Sequence, residues 1–231
     1  MKYGLSYTLI TRTTGFLART ILHYRKTELD HINGLLKNNE KLKILDYGCN
    51  TGYLLDIIHK KHISSNFDLC GADINQYALN YARKKYPHFT FFEINNEFFT
   101  QERFDVVILS HVLEHIKDRD GFFTNFKKLM KKEGTLIIAI PQERIRGDCT
   151  IIQLLYNYLR LRFENPHVVK LNYEDLDQLL GKNGFCIQEH IYTHFLYPFK
   201  SDKLRLDSWS LVVEAKLKDS CPTPLISPHK N

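Results

Sequence analysis

No run of apolar residues in this 231-residue chain is long enough to cross a bilayer, so a membrane-spanning helix is not expected. The opening stretch MKYGLSYTLITRTTG breaks every apolar step with a polar one and lacks the apolar core and cleavage pattern of a secretory leader. A cytoplasmic protein is the expectation. Cysteine is scarce: Cys49, Cys70, Cys149, Cys186 and Cys221 stand singly, never as a CxxC pair. Neither a disulfide framework nor a zinc site is indicated, and the five read as ordinary thiols. Charge of one sign is also limited. The formal net charge of +6 is dispersed over many lysines on amphipathic surfaces, which is weak ground for a nucleic-acid partner.

What is present is the composition of a globular domain, with 43% hydrophobic and 25% charged residues and enough length for one well-buried core. Residues 12 to 37 carry helical spacing, clearest at Leu29, Ile32 and Leu36, with Arg12, Arg19, Arg25 and Lys26 on the polar side. Residues 1–40 therefore read as an N-terminal helical cover. From Lys41 the chain alternates short apolar runs with amphipathic segments: KLKILDYGC, TGYLLDIIHKKH, FDLCGADI, NQYALNYARKKYP, FTFFEIN, RFDVVILS, DGFFTNFKKLMKKEG and TLIIAIP. Such alternation builds βαβ units, whose right-handed crossovers give a parallel sheet with helices on both faces. Ligands of these sheets sit beyond the C-terminal ends of the strands, so chemistry is sought in the loops that follow them.

Past Pro141 the pattern is interrupted by an amphipathic insertion over 142–170, whose Ile151, Leu154, Leu155, Tyr158 and Leu159 share one face. YEDLDQLLGKNG then reads as a helix ended by Gly184, and FCIQEHIYTHF and SWSLVVEAKLK as two strands. The main domain thus spans 41–217. Residues 218–231, with Pro222, Pro224 and Pro228 and no periodicity, read as a disordered tail.

The informative stretch is ILDYGCNTGYLL, residues 44–55, where Asp46 closes an apolar strand and Gly48 and Gly52 punctuate a turn into a helix. A dinucleotide fingerprint would need glycine at positions 50 and 53, which hold Asn50 and Tyr53. A P-loop would need Gly-Lys-Ser/Thr at the helix entry, and Tyr53 follows Gly52. Asp73 ends the second apparent strand in CGADI, where a two-oxygen carboxylate suits two adjacent hydroxyl donors. Asn95 follows the third strand, and SHVLEH follows the fourth.

Together these residues resemble the D-x-G-x-G-x-G turn and the post-strand segments of class I S-adenosylmethionine-dependent methyltransferases, particularly the small-molecule and ubiquinone-biosynthesis O-methyltransferases. One glycine of that turn is Asn50 here, the replacement that costs least where positive φ is needed. The resemblance implies a Rossmann-like, doubly wound, mostly parallel sheet with an antiparallel C-terminal strand. It implies S-adenosylmethionine as cofactor, held by Asp46, Gly48, Cys49, Asn50 and Gly52, by Asp73 and Ile74, by Asn95, and by Ser110 and His111. Glu114 and His115, with His167 from the insertion, are the candidate catalytic groups facing an acceptor.

That acceptor is expected to be a small-molecule, lipid-like or glycan group methylated at oxygen. The insertion's apolar face beside Arg160 and Arg162 suits a greasy substrate or a membrane surface. The absence of an Asn/Asp-Pro-Pro-aromatic motif after the fourth strand speaks against nucleic-acid methylation. A non-catalytic Rossmann-like module that binds cofactor or partner without turnover is the alternative. His111 and His115 lie four apart on an expected helix, and with no third ligand near them a metal site is not expected.

Overall fold

The structure, a computed structural model, describes residues 24–36, 41–95, 98, 103–142, 171–194, 200–205 and 207–220. His167, nearly all of the insertion, residues 1–23 and the final eleven residues lie outside the described residues. In chain order the elements are α1 (Tyr24–Leu35), β1 (Lys43–Tyr47), α2 (Tyr53–Lys61), β2 (Asp68–Asp73), α3 (Gln76–Lys85), β3 (Thr90–Glu93) and β4 (Phe104–Ser110). There follow α4 (Arg119–Phe126), β5 (Met130–Pro141), α5 (Tyr173–Lys182), β6 (Phe185–His194), β7 (Lys200–Ser201) and β8 (Ser208–Leu217).

The strands form one sheet in the order β3-β2-β1-β4-β5-β8-β6-β7. The first five run parallel, β1 pairing with β2 on one side and β4 on the other. Their apolar runs are explained by burial on both faces. Along β4, Val106 and Ile108 enter one core with α1, α2 and α3, while Val107 and Leu109 enter the other with α4 and α5. β8 is antiparallel to both β5 and β6 and lies between them. This agrees with the expected α/β class. The order of strand addition reverses at β1, with β2 on one side and β4 on the other, which makes the C-terminal ends of these three strands the place for a ligand.

Several local expectations are corrected. The segment after β4 is not a helix carrying His111 and His115. It is a single 3-10 turn over Leu113–His115, entered through a left-handed His111 at φ 56°. Residues 218–220 are not part of a disordered tail, since they form a 3-10 turn tied to Lys132 by a Ser220 hydroxyl at 2.8 Å. Cys49 and Cys70 are free and buried, but Cys186 is disulfide-bonded and so is no independent thiol. α1 is also more than a cover: Leu29, Ile32 and Leu36 are buried in the same core as Ile44 and Ile108. Among the described residues no helix is long and apolar enough to cross a membrane, and no group of three or more His, Cys, Asp or Glu is placed to hold a metal ion.

Candidate functional site

β1 delivers its chain to a tight turn that leans back on β2, with Gly48 and Cys49 both donating their N–H to the Ala72 carbonyl at 2.7 and 3.0 Å. Gly48 has φ 86°, and a Cβ there would lie 2.4 Å from Val112 Cγ2 in the loop after β4. Only a residue without a side chain lets the two loops touch. Asn50 takes φ 48°, the left-handed conformation expected of it. Its N–H donates to Asp73 Oδ2 at 2.7 Å, while Asn75 N–H donates to Asp73 Oδ1 at 2.8 Å. Asn75 in turn caps α3 by accepting from Tyr77 and Ala78 N–H. The turn at 48–52 and the acid at 73 are thus joined directly.

Two acids share this edge. Burial pushes Asp46 up to about 7, the neighbouring Asp73 charge adds to the effect, and Arg25 opposes it. Burial also raises Asp73, against the three backbone N–H groups that favour its charged form.

A second polar cluster lies between α1 and the end of β4. Arg25 pairs with Glu28 on its own helix and donates through Nη2 to the Ser110 hydroxyl at 3.0 Å. Glu28 is 0% exposed, and its Oε2 lies 3.0 Å from His111 Nε2. His111 Nδ1 lies 3.5 Å from Glu114 Oε1. Neither oxygen of the buried Glu114 carboxylate has a hydrogen-bond partner. Burial disfavours a charged His111, but the Glu28 charge and the contacts with both acids override it and raise the ring to about 9. Burial likewise opposes a charged Glu28, yet Arg25 and His111 hold its carboxyl well below the usual range. Arg25 and Glu28 were not expected at the site. The available signal was an acid adjoining the apolar stripe of α1, three residues after an arginine.

The other expected site residues are placed as follows. Cys49 turns its thiol into the core, where a Cβ on Gly71 would meet it at 2.7 Å, so it offers the edge only its backbone. Ile74 beside Asp73 is 53% exposed, an apolar surface next to the acid. Asn95 is exposed, and its Oδ1 accepts from Phe98 N–H at 3.0 Å. His115 is half-buried on the 3-10 turn beyond Glu114.

A glycine turn, an acid bonded to it and a polar loop, gathered where parallel strand ends diverge, define a nucleoside-binding Rossmann-like domain. The sequence pattern of a family described as a methyltransferase domain matches residues 21–190. This chain belongs to that family, among the class I S-adenosylmethionine-dependent methyltransferases, whose cofactor is S-adenosylmethionine.

A ubiquinone/menaquinone biosynthesis C-methyltransferase of Campylobacter jejuni is 23% identical over 129 residues, which covers 54% of each chain. A ubiquinone biosynthesis O-methyltransferase of Rhizobium etli is 24% identical over 164 residues, 68% of this chain and 64% of the relative. The chain thus spans about half to two thirds of the length of these relatives. Among solved structures, magnesium protoporphyrin IX methyltransferase from Synechocystis, with SAH bound, aligns at a TM-score of 0.59 and 19% identity, covering 87% of this chain and 86% of that one. At that identity the likeness concerns the fold.

Proposed function

We propose that this protein transfers a methyl group from S-adenosylmethionine to a small, lipid-like acceptor at oxygen. The observation that carries the reading is the direct bond from the Asn50 backbone to Asp73, which sets the glycine turn beside a carboxylate at the switch point of the sheet. The residues fit the cofactor. Asp73 accepts backbone N–H groups at both oxygens, and its carboxylate, with about four acceptor positions, still has capacity for a sugar hydroxyl. Gly48 and Gly52 present backbone without side chains, and exposed Ile74 offers an apolar surface for a base. Asn95 would border the base, and Ser110 and His111 the amino-acid end.

When bound, this cofactor supplies a methyl group already activated on a sulfonium. The protein's part is alignment of the acceptor, an orientation effect that contributes several kcal/mol, about 7–11 at its upper range. A phenolic acceptor of pKa about 10 gains from a base, and His115 is assigned that part, with Glu114 beside it. His167 and the apolar stripe of 142–170 complete the reading as acceptor-side elements. The names of the relatives, a ubiquinone/menaquinone biosynthesis C-methyltransferase and a ubiquinone biosynthesis O-methyltransferase, support a small, lipid-like acceptor.

Calorimetric titration tests the first half: the protein is expected to bind S-adenosylmethionine and its demethylated product, and Asp73→Ala to weaken both at least about tenfold, the loss of one or two hydrogen bonds to a charged group. Labelled methyl transfer to a panel of phenols and catechols tests the second. Absence of affinity for either nucleoside would overturn the proposal.

A further inference from the structure

We propose that Glu28 is a positioning residue of the methyl-transfer site: brought in on α1, it holds His111 as an imidazolium between two carboxylates and so denies it the part of a base. This rests on the reading above for where the site lies. The protonation argument is geometric. Nε2 faces Glu28 Oε2 at 3.0 Å and Nδ1 faces Glu114 Oε1 at 3.5 Å. Ionised carboxylates only accept, so a ring bonded to one at Nε2 and with a second as ion-pair neighbour of Nδ1 is matched on both sides when it carries both protons. Glu28 has little freedom to give way, because Arg25 occupies its other oxygen, Ser210 on β8 adds a hydroxyl, and the side chain is fully buried.

The groups facing His111 are Arg25 and Glu28 from α1 and Glu114 from the 3-10 turn, with Ser110 and Ser210 as neutral neighbours of this network. Two cations and two acids balance. Removing the Glu28 charge leaves Arg25 and His111 opposed across one remaining acid, and the ring then sheds its proton. The left-handed backbone of His111 fits the same account, since a bulky residue in that conformation persists only where its surroundings hold it. Any ionisation seen in turnover below about pH 9 therefore belongs to another group, and the buried Asp46, raised to about 7, is one at the same strand edge.

Histidine NMR titration of the cofactor-free protein tests this, the His111 signal being assigned by its loss in His111→Asn. In the unaltered protein His111 is expected to remain charged well above the ordinary histidine range. In Glu28→Gln its apparent pKa is expected to fall by about 1–3 units, and the pH profile of kcat to gain an ionisation. Arg25→Gln, which removes the opposing cation, moves His111 the other way. This second variant keeps the test decisive if Glu28→Gln does not fold. A His111 that titrates near 6.5 in the unaltered protein, or one indifferent to both substitutions, overturns the proposal. Because the titration uses neither cofactor nor acceptor, failure to bind S-adenosylmethionine would sink the functional reading while the charge state of His111 is still decided by the titration.

Discussion

At position 48 a single methyl group separates a turn that meets its neighbouring loop from one that cannot. Gly48→Ala sets a Cβ against Val112 and forces alanine to φ 86°. The expected cost is about 1–3 kcal/mol in chemical denaturation, with a parallel loss of nucleoside affinity. Adding Val112→Ala is expected to return the part due to the clash and leave the conformational part, so the double-mutant cycle separates the two. Asp46, Gly48, Asn50 and Asp73 were legible from the sequence because strand ends, positive φ and chain direction are local properties. Glu28 was not, because its meaning depends on where α1 docks, and no local pattern in residues 24–35 states that His111 will stand opposite. His111 was read as a cofactor neighbour, and its place between two acids came only with the fold.

Among the elements, α1 differs most from expectation. Its helical spacing was plain in Leu29, Ile32 and Leu36, but the idea of a cover understates a helix that shares a core with β1, α2 and α3. Ile32 is fully buried, and Ile32→Ala is expected to cost about 2–5 kcal/mol in urea unfolding. A dispensable cover would lose almost nothing. The parallel strands were legible because burial on both faces leaves nearly unbroken apolar runs such as VVIL and LIIAI. The loop after β4 was misread as helix because VLEHI has helical spacing, while the left-handed His111 before it and the extended Ile116 after it confine the segment to one 3-10 turn. β7 is two residues long and leaves no periodicity to find.

For the molecule as a whole, the buried ionisable groups predict how stability runs with pH. His111 is raised to about 9 when folded, so its contribution is complete below its unfolded value of 6.5 and is lost as pH rises through about 9. Asp46, raised from 3.8 to about 7, favours the folded state most when protonated, and that contribution is lost over this interval. Glu28, depressed when folded, contributes above its unfolded value of 4.5 and fails in acid. His31, lowered to about 4 when folded, contributes above its unfolded value of 6.5 and loses that contribution as pH falls toward 4, so the cofactor-free protein is expected to melt highest at about pH 5 and to weaken toward about pH 9. Calorimetry across that range checks it, with Asp46→Asn flattening the slope below neutrality and His111→Asn the slope above. A maximum at pH 7 or higher would contradict the assignment.

The place of β8 between β5 and β6 also bears on how the protein is made. The strand that joins these two is translated after both, so a nascent chain carrying residues 130–194 holds two open strand edges with no partner yet synthesised. Until residue 217 clears the ribosome those backbone groups are free to pair with another chain, and that interval is when aggregation of the nascent protein is expected to be greatest.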